Sequence, residues 1–178
     1  MTSALLVMDV QEAVVARYPD PAYLPRLAEA IAKARAANIP VIYVTVGFRV
    51  GGPEIDARNR MFGRLAGSPY AGQPNPIHPA VAPAEADIVV VKRRVSAFAG
   101  SDLELVLRAR GVREIVLTGI ATSGVVLSTL REAADRDYEL TVLADACLDN
   151  DPEVHRVLTE KVFPAQADVT TTGEWAPR

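Results

Sequence analysis

The stretch of residues 115–138 limits the possible folds of this chain more strongly than any other part of the sequence. It starts with an apolar, β-branched run, passes through a turn of small residues at 119–124, and continues as an amphipathic pattern with helical spacing. This order is typical of a buried strand that runs straight into a helix. Because the first N–H groups of a helix lack intrahelical partners, the turn is a candidate site for an anion or a developing oxyanion.

Strand and helix patterns alternate along the whole chain. Strands are predicted at residues 4–10, 41–46, 87–92, 115–119, 139–144 and 167–172. Besides the helix after residue 124, helices are predicted at residues 21–38, at 101–111 from an S-x-x-E capping box at Ser101 and Glu104, and at 151–163, which Asp151 caps. Such alternation predicts a parallel sheet covered by helices on both faces, an α/β three-layer sandwich in a single domain of residues 1–178.

Residues 47–87 form a long connection, rich in Gly and Pro, between the second and third predicted strands. One short helix is predicted within it, near residues 59–65. Connections of this length are usually lids, binding loops or subunit contacts. A lid over a pocket and a contact with a neighbouring subunit are both consistent with this segment.

Charge and hydropathy exclude several classes of partner. The formal net charge of −3 argues against a nucleic-acid-binding surface. No apolar run reaches the roughly 18 residues of a membrane span, and the N-terminal run is interrupted by Asp9 and lacks the basic start of a signal peptide. The single cysteine, Cys147, forms no intrachain disulfide. We therefore expect a cytoplasmic protein with neither nucleic-acid nor membrane partners.

Four features lie at the carboxyl ends of predicted strands: Asp9, Lys92, the turn at 119–124 and Asp145. In open parallel sheets these ends share one edge, and ligands bind there, near the point at which the strand order reverses. Asp9 and Lys92 are therefore candidate site residues, whereas Asp145 is expected to hydrogen-bond neighbouring strand ends. The arginines at 93 and 94 are expected on a solvated face, which is the usual place for a run of charges.

Several segments together resemble the isochorismatase-like hydrolases, a family that includes cysteine hydrolases such as nicotinamidase. They are LLVMDVQ at 5–11, VVVKRRVSAF at 89–98, LTGIATSGVVLST at 117–129, the A-x-x-x-x-Y of 133–138, and VLADAC at 142–147. These segments cover most of the chain, in the order and at the spacings of the family. The resemblance implies a six-stranded, mostly parallel sheet and an active site made of an aspartate, a lysine and a cysteine.

The resemblance assigns the aspartate to Asp9 and the lysine to Lys92, but it finds no cysteine. The family's cysteine follows the threonine of a T-x-x-C-V motif by three positions. In this chain the threonine is Thr122 and the matching residue is Val125. A valine side chain has no lone pair with which to attack a carbonyl carbon, so acyl-enzyme or thioester chemistry at this position is excluded.

The family also contains isochorismatases that lack this cysteine, and in them the aspartate acts as a general acid. It protonates a vinyl ether so that water attacks the resulting oxocarbenium carbon, and pyruvate leaves. By resemblance, Asp9 would be this acid, and Lys92 and Arg49 would pair with carboxylates of the substrate.

Further site features are implied by the same resemblance. The family commonly has a cis peptide after the fourth strand, which would join Ile120 and Ala121 here, and Gly124 belongs to the same oxyanion-binding turn. The residues implied in the substrate pocket are Gln11, Phe48, Arg49, Ser96, Phe98 and Thr122, although Phe98 is equally well explained as a core residue. Metal-binding members carry an Asp and His cluster after the second strand, and residues 45–48 contain neither. We therefore expect no metal and no cofactor, a small-molecule substrate, and a homodimer or homotetramer.

The leading hypothesis is a hydrolase of a small anionic metabolite, with Asp9 as general acid/base and Lys92 as its electrostatic partner. The alternative is a non-catalytic relative that keeps the pocket and binds a metabolite or a partner protein. Amide hydrolysis by water activated by Asp9 is less favoured, because amides react slowly without covalent catalysis. Cys147 is interpreted as a small buried hydrophobe, and His78 and His155 as surface or interface groups.

Overall fold

The structure, a computed structural model, describes residues 2–177. Its strands are β1 (Ser3–Met8), β2 (Val41–Val46), β3 (Ile88–Lys92), β4 (Glu114–Ile120), β5 (Glu139–Leu148) and β6 (Asp168–Thr170). Its α-helices are α1 (Glu12–Val15), α2 (Tyr23–Ala36), α3 (Leu103–Ala109), α4 (Leu127–Ala134) and α5 (Pro152–Val157). A π-helical turn, Thr122–Val126, leads into α4, and a second one, Leu158–Val162, follows α5. Within residues 2–177, no helix combines the length and apolar character that crossing a bilayer requires.

The six strands form one parallel sheet in the order β3-β2-β1-β4-β5-β6. The chain adds β2 and β3 on one side of β1 and then returns to add β4 on the other, so the strand order reverses between β1 and β4. Helices α3 and α4 cover one face through Leu103, Leu107 and Leu130, and α2 covers the other through Leu27 and Ile31. The predicted three-layer α/β sandwich with a six-stranded, parallel sheet is confirmed.

Four strands end at other residues than predicted; β4 and β6 differ by one and two residues, and the differences of β1 and β5 follow from local departures of the backbone from regular pairing. A strand is predicted to residue 10, but β1 ends at Met8, since Asp9 has a φ of 56°, which a regular strand excludes. The fifth strand is predicted to end at residue 144, but β5 continues to Leu148. A register shift between Leu117 and Gly119 allows the last residues of β5 to pair with the end of β4.

The capping box predicted at the start of α3 is wrong, because the N-cap is Asp102 and its side chain forms no cap hydrogen bond. The Ser101 hydroxyl accepts the N–H of Leu103 at 3.3 Å, but Glu104 forms an ion pair with Arg108 in the next turn of the helix. A capping box requires the glutamate to reach back to the N-cap N–H, so the i,i+4 ion pair has replaced it. The cap predicted at Asp151 is present at the start of α5.

The helix predicted near residues 59–65 is reduced to a 3₁₀ turn, Gly63–Leu65. The Asn59 side chain accepts the N–H groups of Met61 and Phe62, at 3.1 and 2.9 Å. Such local bonds offer the backbone an alternative to helical hydrogen bonds, which explains the shorter element.

The long connection between β2 and β3 is tied to the chain that follows β1. The N–H of Glu12 donates to the Pro76 carbonyl at 2.9 Å, and the N–H of His78 donates to the Val10 carbonyl at 2.9 Å. Residues 75–78 are therefore held beside the carboxyl end of β1, next to the region in which the site is predicted.

Candidate active site

Asp9 and Lys92 form a buried ion pair at the carboxyl edge of the sheet. The Lys92 Nζ lies 2.9 Å from the Asp9 Oδ2, and the two side chains are 2% and 12% exposed for Lys92 and Asp9, respectively. The ammonium also donates to the Arg94 carbonyl at 2.8 Å. The first and third strands thus bring together the two charged groups that the sequence singles out.

The backbone of Asp9 is what allows this pair to form. In β1, Leu5 and Val7 face the α2 side of the sheet, whereas Met8 faces the other side, as Val90 does in β3. Continued alternation would place the side chain at position 9 on the α2 side, while that of Lys92 shares the side of Val90. The φ of 56° at Asp9 ends the alternation, and the carboxylate reaches Lys92.

Burial raises the pKa of Asp9 from 3.8 to about 6, against the opposing effect of the Lys92 charge and hydrogen bond. Desolvation penalises the carboxylate, and the nearby ammonium recovers only part of that penalty. The second oxygen, Asp9 Oδ1, is buried and has no hydrogen-bond partner among the residues described. The carboxyl group can therefore hold or release a proton near neutral pH, and one oxygen remains unused by the protein.

The turn after β4 lies against the end of β1 at Gly119. A side chain at this position would place a Cβ 2.2 Å from the Met8 carbonyl oxygen, and the φ of Gly119 is 136°, so only glycine fits. The peptide bond between Ile120 and Ala121 is cis, as predicted. Because Met8 directly precedes Asp9, this close approach sets the turn beside the ion pair.

The predicted role of Gly124 as an oxyanion donor is not supported by its hydrogen bonding. Its N–H donates to the Ala121 carbonyl at 3.1 Å, and the N–H of Val126 donates to the same oxygen at 3.2 Å. These bonds close the turn internally, so the Gly124 N–H is not available to a ligand.

A feature that the sequence did not reveal holds the turn from the side of α5. The Thr122 hydroxyl, predicted to line the substrate pocket, is fully buried and lies 2.8 Å from the Nδ1 of His155. The N–H of Ser123 donates to the Asp149 carboxylate at 2.7 Å. His155, predicted as a surface or interface group, is thus half-buried against the turn. No local pattern connects residues so distant along the chain.

Val125, at the position of the family's cysteine, is 2% exposed. It belongs to the same apolar cluster as Met8 and Val90, which lie one residue before Asp9 and two residues before Lys92. The structure thus places a hydrocarbon side chain on the side of the sheet from which Lys92 approaches Asp9.

The side chains of two residues predicted in the substrate pocket, Gln11 and Ser96, form hydrogen bonds with other parts of the protein. The Gln11 side chain donates to the carbonyls of Val46 and Asn75 and accepts the N–H of Val46, at 3.2, 2.6 and 2.9 Å. This uses three of the four hydrogen bonds that an amide side chain forms. Ser96 donates to the Glu132 carboxylate at 2.5 Å. Both therefore hold neighbouring segments in place, Gln11 joining the ends of β1 and β2 and Ser96 fixing the loop after Lys92 to α4.

The aromatic and basic residues predicted in the pocket lie in different surroundings. Phe98 is 7% exposed within the apolar core, with the Arg136 guanidinium 4.7 Å above its ring, so the core interpretation holds for it. Phe48 is half-buried against Phe62, with ring centroids 5.3 Å apart. Arg49 is exposed beside Glu54. Among residues 2–177, no three His, Cys, Asp or Glu side chains are grouped in a way that could hold a metal ion.

A cavity of about 470 Å³ lies between the end of β5 and the chain before α2, and the ion pair is not part of its lining. Its walls include Cys147, Asp145 and His155. The Asp145 carboxylate accepts the N–H and the hydroxyl of Thr172, at 2.7 and 3.0 Å, which is the structural role expected for it. Neither Asp9 nor Lys92 therefore lines this cavity.

We expect Cys147 to be inert towards Ellman's reagent in the folded protein. Cys147 is 3% exposed, and burial raises the pKa of its thiol to about 12, so almost no thiolate is present at neutral pH. Release of thionitrobenzoate should appear only after a denaturant is added, with one equivalent per chain. Rapid release from the native protein would contradict the buried placement of this thiol.

The chain is similar to known proteins over nearly its whole length. The family model of the isochorismatase domain matches residues 3–174. The chain is 36% identical over 185 residues to the isochorismatase family protein YecD of Escherichia coli O157:H7, with 97% of this chain and 94% of that protein covered. It is 37% identical over 177 residues to the ureidoacrylate amidohydrolase RutB of Stutzerimonas stutzeri (strain A1501), with 85% and 71% covered. Among solved structures, an isochorismatase family protein from Burkholderia thailandensis superposes with a TM-score of 0.84 at 31% identity, covering 97% of this chain and 92% of that one.

Proposed function

Because the chain belongs to the isochorismatase family of hydrolases, we propose that it hydrolyses a small anionic metabolite without a cysteine nucleophile. Asp9 acts as the general acid/base, and Lys92 is its electrostatic partner. The observation that carries this proposal is the state of the Asp9 carboxyl group. It has a pKa of about 6, a buried ammonium 2.9 Å from one oxygen, and a second oxygen without a hydrogen-bond partner among residues 2–177.

These properties suit proton transfer at neutral pH. A general acid is most effective when its pKa lies near the working pH, because both protonation states are then accessible. Burial supplies the rise in pKa, and Lys92 keeps it from rising further. The unpartnered Oδ1 is the oxygen from which a proton reaches a bound substrate.

The hydrolysis of a vinyl ether requires an acid and water but no nucleophilic side chain. Protonated Asp9 transfers its proton to the terminal vinyl carbon, which leaves an oxocarbenium ion. Water adds to the cationic carbon and loses a proton, which returns to the Asp9 carboxylate. In the resulting hemiketal the bond from the former cationic carbon to the ether oxygen then breaks, and the proton of the new hydroxyl group passes to that oxygen, which releases an alcohol and a keto acid. Lys92 stabilises the carboxylate that forms when Asp9 gives up its proton.

The pH dependence of kcat/KM tests the acid role of Asp9. Since the acid form dominates below the pKa of about 6, vinyl-ether hydrolysis should fall roughly tenfold for each pH unit above it. Lys92→Met should shift this fall in rate to higher pH, because Lys92 lowers the pKa of Asp9. Steady-state rates from about pH 5 to about pH 9, which span the pKa of about 6 and the expected fall above it, provide the measurement. A rate that instead rises through pH 6 would assign Asp9 the role of base.

Val125 favours a second candidate, a relative that binds its ligand without turning it over. The experiment that separates the two is incubation with isochorismate and with simple amides, including ureidoacrylate, while pyruvate and ammonia are measured. Release of pyruvate supports the proposed hydrolase. Tight binding of isochorismate with no release of either product supports the non-catalytic candidate, and release of ammonia alone supports the amide-hydrolysing hypothesis.

A further inference from the structure

A second cavity of about 470 Å³ opens where the connections after β2 and β3 meet, and its lining is strongly basic. The lining residues are Arg49, Glu54, Arg93, Arg94 and Gly100. Three guanidinium groups and one carboxylate give a local formal charge of +2, in a chain whose net charge is −3. Local charge of this sign raises the concentration of anions at the cavity.

Backbone carbonyls accept the hydrogen bonds of the two arginines that follow Lys92, and Arg93 also lies 3.5 Å from the Glu54 carboxylate. The Arg93 Nη1 donates to the Gly47 carbonyl at 2.6 Å, and the Arg94 Nη2 donates to the Glu54 carbonyl at 2.6 Å. Within residues 2–177, Arg94 has no carboxylate within ion-pair distance. A guanidinium group has five N–H donors, so most of its donors remain unused after such bonds. The arginines are thus oriented while their charge stays largely uncompensated.

Glu54 compensates only part of the charge. Its Oε1 accepts the N–H of Arg49 at 2.9 Å and lies 3.6 Å from the Arg49 guanidinium and 3.5 Å from that of Arg93. The hydrogen bond from the Arg49 N–H, with the charges of both arginines, holds the pKa of Glu54 below its usual range, so it is ionised at neutral pH. One carboxylate therefore neutralises part of the charge of two guanidinium groups, at distances longer than a usual charge-assisted hydrogen bond.

Gly100 makes room for this arrangement. A Cβ at this position would lie 2.8 Å from the Cβ of Arg93, and Gly100 has a φ of 74°. The N–H of Arg93 donates to the Ala99 carbonyl at 3.0 Å, which closes the loop around the arginine. A larger residue at position 100 would displace the Arg93 side chain from the cavity.

We propose that this basic cavity, formed by Arg49, Arg93 and Arg94, binds the carboxylate or phosphate group of a small-molecule ligand. The fork of N–H donors on a guanidinium group matches the paired oxygens of these anions. The cavity adjoins the candidate active site along the chain, because Lys92 directly precedes Arg93 and donates to the Arg94 carbonyl. In so far as this anion is part of the substrate, the inference rests on the proposed function and specifies its charged group.

Calorimetric titration with inorganic phosphate and with malonate, at constant ionic strength, tests the cavity directly. Arg49→Met and Arg94→Met should each weaken binding roughly tenfold, the usual effect of one charge-assisted contact. The Arg49 side chain is 66% exposed, so its replacement should leave the fold intact. The matched control is Arg110→Met, which removes an exposed arginine just after α3, away from the cavity lining, and should leave binding unchanged.

The same titration on Asp9→Asn separates this inference from the proposed function. If phosphate and malonate still bind to Asp9→Asn, the cavity is supported whether or not this variant has lost turnover; turnover alone decides the role of Asp9. Equal dissociation constants for the native protein, Arg49→Met, Arg94→Met and Arg110→Met would overturn the inference.

Inhibition by phosphate identifies the source of the anion. A rise in KM at constant kcat means that the anionic group of the substrate occupies the cavity. A change in kcat at constant KM means that a free anion occupies it as a separate ligand.

Discussion

Asp9→Asn is expected to lower kcat/KM for any substrate that the native protein hydrolyses by roughly 10²- to 10⁴-fold, the contribution usual for a general acid or base. Asparagine keeps the shape and polarity of the side chain but cannot exchange a proton near neutral pH. The measurement is the rate of product release at the pH optimum of the native protein.

This variant leaves the buried Lys92 ammonium without its counter-charge, which commonly costs about 3–5 kcal/mol of stability. The fold must therefore be checked by circular dichroism and thermal melting. The double variant Asp9→Asn/Lys92→Met removes both charges and should recover much of the stability while remaining inactive. Asp168→Asn, which changes an exposed carboxylate at the start of β6, is the matched control and should retain activity. A folded Asp9→Asn protein with more than about a tenth of the native rate would contradict the proposed role, since loss of a general acid costs at least 10²-fold.

The second large effect is expected for Gly119→Ala, which should destabilise the fold by about 3 kcal/mol or more. The new Cβ would lie 2.2 Å from the Met8 carbonyl oxygen and 2.9 Å from the Met8 Cβ, and its φ of 136° is unfavourable for alanine. The two central strands, β1 and β4, must then separate or the turn must distort. Because Met8 precedes Asp9, either change also moves the candidate acid, so activity should be lost with stability.

Urea unfolding and thermal melting measure this effect, and the melting temperature should fall by roughly 6–12 °C for a chain of this size. Gly111→Ala is the matched control, since Gly111 also has a positive φ, 63°, but has no atom within 4 Å of an added Cβ. Gly111→Ala should lower the free energy of unfolding only by the cost of a positive φ for alanine, about 1 kcal/mol. Equal losses in the two variants would show that the close approach to Met8 is not the cause.

Sequence analysis could identify those candidate site residues that are charged and lie at the carboxyl end of a predicted apolar strand. An aspartate inside an apolar strand and a lysine at the end of another are unusual enough to be noticed, and parallel strands share their carboxyl edge. The same reasoning failed for Gln11, which belongs to a motif of the family but whose amide is used by the carbonyls of Val46 and Asn75. It also failed for His155, because its contact with Thr122 joins segments far apart along the chain.

The sequence by itself determined the alternation of strands and helices, and with it the parallel sheet, because hydrophobic periodicity is a local property of the chain. It also determined that position 125 carries no nucleophile, since this depends only on the residue type. Only the tertiary structure decided which way the Asp9 carboxylate points, because regular alternation would have turned it towards α2 and a single positive φ reverses that. The pKa of Asp9 was likewise decided by folding, since desolvation and the Lys92 charge act on it only when distant segments surround it.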